Sequence, residues 1–486
     1  MLLFRHAEGR ARRSSGRLTP VALVALSALA ADAAAQQSAS GNAPPRFKLL
    51  RYEEDPRFYA DPSRRLDLID QLKYIPLSDD GGAFLSLAGD ARLIYERFDS
   101  TLWGVGPQDN DGYLLQRYFL HADLRVGEHF RAYGTLKSSL ENFREGGPRP
   151  TDENRADLHQ AFVDFKLPLG GASSLTLRPG RQELNYGSAR VVAVRNGPND
   201  RQTFDAGRVI LDLDMGSGRS VRTDVLYARA VETDRGEFDD NWFDEDRTLW
   251  GVYATAMLNS AHKLGFDAYY LGNDFEAKRY QRASGPDERH TIGTRWFANT
   301  GGFDADVEGA VQFGETGDED AFGYLAAVNS GYTFASALLS PRLAVEAGVS
   351  SGDDGSGDVG TYNLLFARAG YYGELGILGN QNLVHLNPQL DLRLAEGLTF
   401  TAECYFFWRA SEDDGIYTAG GGLLRAGTEA AGRFIGVQPT ATLSYRPDRR
   451  WHLLAQYGYL SPGSFIDDTG PSEDIHFVRV EVTFSF

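Results

Sequence analysis

From Val478 to Phe486 apolar and polar side chains alternate without interruption: Val478, Val480, Val482, Phe484 and Phe486 point one way, Arg479, Glu481, Thr483 and Ser485 the other. That period predicts a strand with one apolar and one wet face. Eighteen stretches of this character occur from residue 81 onward, among them Phe84 to Phe98, Tyr113 to Val126, Arg131 to Asn142, Leu264 to Leu271, Arg342 to Ser350 and Thr399 to Arg409. Their connections alternate in length. Short turns are expected at Gly127 to Phe130, Met215 to Arg219, Ala395 to Gly397 and Arg446 to Arg450, and long polar loops at Asp99 to Gly112, Asn185 to Gln202, Glu232 to Arg247, Asn273 to Glu288, Ser351 to Asn382 and Ala410 to Gly432. One rim of short turns and one of long loops is the rhythm of an up-and-down barrel, and an even strand number suits one that crosses a membrane. A Greek-key sandwich has no reason to keep that rhythm. The expected fold is all-β, a transmembrane up-and-down antiparallel β-barrel of 18 strands.

The termini support this reading. Arg5, Arg10, Arg12, Arg13 and Arg17 precede an apolar run from Val21 to Ala31, followed by Ala33-Ala34-Ala35 and Gln36, the layout of a secretory signal cleaved after residue 35. That run has eleven residues, against the roughly 20 of a spanning helix, so membrane insertion falls to the strands. Residues 36–80 are polar, carry Pro44, Pro45, Pro56, Pro62 and Pro76, and lack a sustained period. They read as a periplasmic extension ahead of a barrel over 81–486. The terminal aromatic Phe486 resembles the C-terminal signature of bacterial outer-membrane barrels. The expected partners are therefore outer-membrane lipid and lipopolysaccharide, with the barrel assembly machinery engaging the C-terminal strand, and a monomer suffices. A formal charge of −18 excludes nucleic acid as a natural partner. The one cysteine, Cys404, rules out an intramolecular disulfide.

Lipid-facing positions must be apolar, so the alternate positions of each strand are lumenal, and they carry charge of both signs. Arg92, Arg117, His121, Arg125, Lys137, Arg178, Arg208, Arg393 and Arg479 fall on this face, together with Asp306, Glu308, Glu346 and Glu403. Cross-strand pairing would hold such a wall together, whereas weak binding at many sites would pass a hydrated solute. Arginines concentrate at Arg178, Arg181, Arg190, Arg195, Arg201 and Arg208. Guanidinium forks bind carboxylates in bidentate fashion and suit an acidic sugar. An inward fold of the 185–202 loop would make these residues a constriction; an outward fold would direct them to lipopolysaccharide phosphates.

No cofactor motif is present, and no metal site is assigned. The acidic loops Glu232 to Asp246 and Asp353 to Asp358 lack the spacing of a calcium loop and read as a solvated rim. His121 and His159 come with no nucleophile elbow, so an enzyme is not expected. An adhesin or structural barrel would instead have loops richer in aromatics and a lumen closed by paired charges or by the N-terminal segment.

The run Arg178-Pro179-Gly180-Arg181-Gln182-Glu183-Leu184-Asn185-Tyr186-Gly187, with Arg190, Arg195-Asn196 and Phe204-Asp205 after it, resembles the alginate export family of outer-membrane porins. Arg117-Tyr118, His121-Ala122-Asp123-Leu124-Arg125 and Leu136-Lys137-Ser138 lie in the expected order upstream. The resemblance spans roughly residues 48–486. It implies a bacterial outer-membrane location and passive passage of an anionic, alginate-like polysaccharide or related acidic saccharide through an arginine-lined pore. Short turns on the periplasmic side and abundant lumenal carboxylates keep open the alternative of a general or substrate-selective porin for small charged solutes.

Overall fold

The computed structural model describes residues 44–368 and 371–486; the expected signal segment, 1–35, and residues 36–43 lie outside the described residues. Eighteen long strands form one closed sheet. The first six are β1 Ala83–Asp99, β2 Tyr113–Val126, β3 Phe130–Asn142, β4 Asn154–Gly170, β5 Ser173–Gln182 and β6 Phe204–Gly216. Next come β7 Arg219–Ala230, β8 Arg247–Asn259, β9 Leu264–Arg279, β10 Ser284–Thr300, β11 Phe303–Thr316 and β12 Glu319–Thr333. The last six are β13 Arg342–Ser350, β14 Leu383–Ala395, β15 Leu398–Arg409, β16 Phe434–Tyr445, β17 Trp451–Pro462 and β18 Ile475–Ser485. Neighbours pair antiparallel in chain order, and β18 closes on β1 from Asp90↔Ser485 to Asp99↔His476.

Burial follows parity in the sense opposite to a soluble protein. Leu93, Leu120, Tyr227 and Val480 lie exposed on the outer surface, while Arg92, Arg117, His121 and Arg479 are buried inside. Lipid replaces water outside, so the apolar side chains turn outward and the charged ones turn in. Aromatic pairs mark both margins of the apolar belt, with Trp451 against Phe484 below and Trp408 against Phe434 above.

Two outer connections depart from the long-loop expectation. The run 273–288 is a hairpin rather than a loop: β9 and β10 stay paired up to Arg279↔Ser284, leaving residues 280–283 as the turn. Only Gly317 and Asp318 join β11 to β12. Above the lipid belt neither face of a strand needs to be apolar, so Glu276, Lys278 and Glu288 hide a hydrogen-bonded ladder behind a loop-like composition.

The segment ahead of β1 is docked in the periplasmic mouth. Its Ile75–Pro76 pairs with Phe84 and Leu85, covering the edge of β1 below the point where β18 ends. Arg51 donates to the Asp90 carboxylate of β1 (2.7 Å) and to the carbonyl of Phe486 (2.7 Å), spanning the closing seam. The Phe486 ring lies against Gly89, where a Cβ would come within 2.5 Å of it. Asp70, fully buried, accepts from both Arg449 and Arg450 of the β16–β17 turn. Tyr52 reaches deeper, edge-on to Tyr133 and Phe162, and donates to the Glu183 carbonyl at 3.0 Å.

Asp70→Ala removes the carboxylate that two arginines share and should weaken docking of this segment by about 3–5 kcal/mol, the usual cost of breaking a buried ion pair. In limited proteolysis, cleavage within 44–80 should accelerate while the barrel stays folded; unchanged protection would contradict the clamp. Lys73 supplies a second prediction. Its amine is buried near the rings of Phe47 and Phe486, and desolvation lowers its pKa to about 7. The docked segment then binds fewer protons than the released one between about pH 7 and the free-lysine value near ~10.4. Docking should strengthen as pH rises through that window, by up to about 1.4 kcal/mol per unit, and be flat below it. Protease protection measured across the window should lose this slope in Lys73→Met.

Candidate functional site

The β5–β6 connection, residues 183–203, turns into the lumen because of what it carries. Val191, Val192, Ala193 and Val194 are an apolar run in a polar loop, and all four are buried. Ala189 and Arg195 adopt left-handed φ values of 65° and 52°, giving the sharp bends that a loop crossing a narrow space requires. Tyr186 stacks on Tyr253 (4.6 Å), which stacks on Tyr269 (5.2 Å), so the loop lies along an aromatic column of the wall. Arg190 reaches Asp306 (2.6 Å) and Glu308 (3.0 Å) on β11. On the other side, Asn199 Nδ2 donates to the carbonyls of Gln116, Leu140 and Asp152.

The β13–β14 connection, residues 351–382, also enters. Arg289 donates to the Thr361 carbonyl, Gln312 to that of Asn363, and Asn363 to the Asp287 carboxylate. Beyond the undescribed residues 369 and 370, Tyr372, Leu375, Ile377 and Leu378 join an apolar cluster with Phe407, Leu460 and Phe477.

The two loops meet. Val192 and Phe366 form a parallel bridge: Ala193 N donates to Phe366 O (3.0 Å), Phe366 N to Val191 O (3.1 Å) and Arg368 N to Ala189 O (3.0 Å). This short ribbon joins the two loops inside the barrel. A cavity of about 250 Å³ lies toward the extracellular side, lined by Arg144, Arg149, Arg195 and Arg479 against Glu96, Asp152 and Glu374. One of about 570 Å³ lies toward the periplasm, lined by Arg190 and Arg368 against Asp304, Asp306, Glu346, Glu374 and Glu403. Glu374 lines both cavities and lies 3.3 Å from Arg479 and 3.7 Å from Arg368. The sign of the lining charge thus changes from weakly basic to acidic along the route. Tyr371 accepts from Arg190 at 2.5 Å, and burial pushes its phenol pKa up, which keeps it neutral.

Most of the arginines expected at the pore have other tasks. Arg178 is bidentate with Asp164 (2.6 and 2.7 Å) beneath the Tyr52 ring. Arg181 is bidentate with Asp205 (2.8 and 3.0 Å), but its register puts it on the outer surface of the wall rather than in the lumen, because it stands three residues from lumenal Arg178. Loop 231–246 covers that pair, with Asn241 O accepting from Arg181 and Trp242 stacked on the guanidinium at 3.9 Å, so both charges are buried.

Arg201 pairs with Glu183, Arg208 with Asp224, and Arg125 with Asp123 and the docked segment. Lys137 holds Asp200 and Asp240. Arg92 and Arg117 donate to carbonyls of residues 196–198, fixing the loop rather than a solute. Arg393 is exposed at the periplasmic rim. Arg190, Arg195 and Arg479 remain beside the route. Sequence reasoning missed Arg368, Tyr371 and Glu374, for which the Tyr371-Tyr372 pair in a glycine-rich loop was the available signal.

Comparison with known proteins agrees with this architecture. Solved barrels of similar fold include Pseudomonas aeruginosa OccK2 in complex with glucuronate (TM-score 0.51, 11% identity, 85% of this chain and 98% of that one). OpdK from Pseudomonas aeruginosa, solved with vanillate, has a TM-score of 0.52 at 13% identity, covering 83% of this chain and 98% of that one. No curated protein matches the sequence. The family model for alginate export matches residues 83–479. The chain is an outer-membrane porin, and with that match over most of its length it belongs to the alginate export family.

Proposed function

We propose that this porin is a substrate-selective diffusion channel for small charged solutes rather than a conduit for a polymer. The observation that carries this reading is the ribbon between residues 189–193 and 366–368, which ties two loops together inside the barrel, beside two cavities that share Glu374. A polyuronate chain would have to thread that junction and then cross a cavity whose lining carries five carboxylates and two cations. Loops held by buried ion pairs are expensive to displace.

A second reading, an acidic saccharide of monomer size, is favoured by the four arginines of the outer cavity, whose forks suit a carboxylate. The glucuronate found with OccK2 belongs to that protein and lends this chain an analogy of fold alone.

Planar-bilayer recording of the refolded chain in a KCl gradient should give a small conductance with a cation-favouring reversal potential, because the cavity nearer the periplasm is net acidic. Glu374→Gln should shift the reversal potential toward zero. An anion-selective current would count against this assignment of the route. Added oligouronate should leave the current unchanged; block at low concentration would instead favour the polysaccharide.

A further inference from the structure

Within the cavity on the periplasmic side two carboxylates lack a cationic partner. Glu346 on β13 and Glu403 on β15 flank β14, whose Gln389 Nε2 donates to Glu346 at 3.2 Å and to Glu403 at 3.4 Å. Neither forms an ion pair with a Lys or Arg among the described residues, although the other charged pairs of this wall, such as Arg342 with Asp304, are closed. His385, 4% exposed, aims Nε2 at Glu346 Oε1 from 3.8 Å, and neither of its ring nitrogens has a hydrogen-bond partner. Two acceptors and an unsatisfied ring therefore converge on one place in the wall. Arg368 lines the same cavity with half its side chain exposed, only loosely engaged by Glu374.

We infer that this cavity is a transient binding site for a zwitterionic solute of amino-acid size. Its ammonium group is held by the carboxylates of Glu346 and Glu403 beside the Gln389 amide, and its carboxylate faces the Arg368 guanidinium. The inference rests on the channel reading above and gives its solute class. An ammonium has three donors, enough to bond both carboxylates and leave one for water. A carboxylate can accept two bonds from a guanidinium fork. A simple anion would meet Glu346 and Glu403 uncompensated, whereas a zwitterion satisfies both signs, and a site that holds each end weakly still releases the solute.

Proteoliposome swelling with the full mature chain tests this, using erythritol as neutral, alanine as zwitterionic and propionate as anionic probe. Alanine should pass roughly tenfold faster than propionate, the difference expected from one favourable charge contact. Glu346→Gln with Glu403→Gln should bring the alanine rate down to that of erythritol. Arg368→Gln should slow alanine but not propylammonium. Erythritol flux through each variant reports that it is folded and open, and every alanine rate is read as a ratio to it. Equal rates for alanine and propionate, or an alanine-to-erythritol ratio unmoved by the double variant, would overturn the inference. No erythritol flux in the unmodified chain would overturn the channel reading itself.

Discussion

Lipid against the outer wall turns the charged side chains of its belt inward, with Arg181 and Asp205, paired beneath loop 231–246, as an exception, and the inward charges must then be neutralised within a confined lumen. The rest of the architecture follows from how that is done. Cross-strand pairs such as Arg178 with Asp164 and Arg208 with Asp224 stiffen the wall. Where the wall supplies no carboxylate, chain from elsewhere supplies the acceptor: the carbonyls of residues 196–198 for Arg92 and Arg117, Asp200 and Asp240 for Lys137, and Asp70 for Arg449 and Arg450. A buried charge without a partner costs several kcal/mol, so each such contact holds a loop or a segment in place.

The interior is thus furnished from three directions. The 183–203 loop comes down from the outer rim, the 351–382 loop crosses from the opposite wall, and the segment ahead of β1 rises from the periplasmic mouth to touch the first of them at Leu49 and Tyr52. Two of the cavities that remain share Glu374, the upper one richer in arginines and the lower one in carboxylates. Selectivity belongs to the residues that these contacts leave over, among them Glu346, Glu403 and Arg368, and not to the arginines that are most conspicuous in the sequence.

The wall was legible in the chain because a period of two reports directly which residues meet lipid. Arg92, Arg117 and Glu346 were all assigned inward on that basis, and burial agrees. The hairpin above β9 and β10 was not legible, since alternation disappears where lipid no longer imposes it. Arg181 was misjudged because proximity to Arg178 was weighed above parity: three residues along a strand is the opposite face. The inward course of both loops depends on partners far away in sequence, such as Phe366 for Val191, and local composition carries only a hint of it in the Val191 to Val194 run. The docking of residues 44–80 in the mouth depends on acidic side chains finding Arg449 and Arg450 at the other end of the chain.

The meeting of the two loops is the central claim, and a disulfide across it is the most direct measurement. With Cys404→Ser as background, Val192→Cys and Phe366→Cys fall at bridge-paired positions, where backbones approach within the range a disulfide spans. The account predicts nearly complete crosslinking of the refolded protein in membranes, with single-channel conductance unchanged between oxidised and reduced forms. Failure to crosslink, or a conductance that falls on oxidation and recovers on reduction, would mean that the loops stand apart in the working channel.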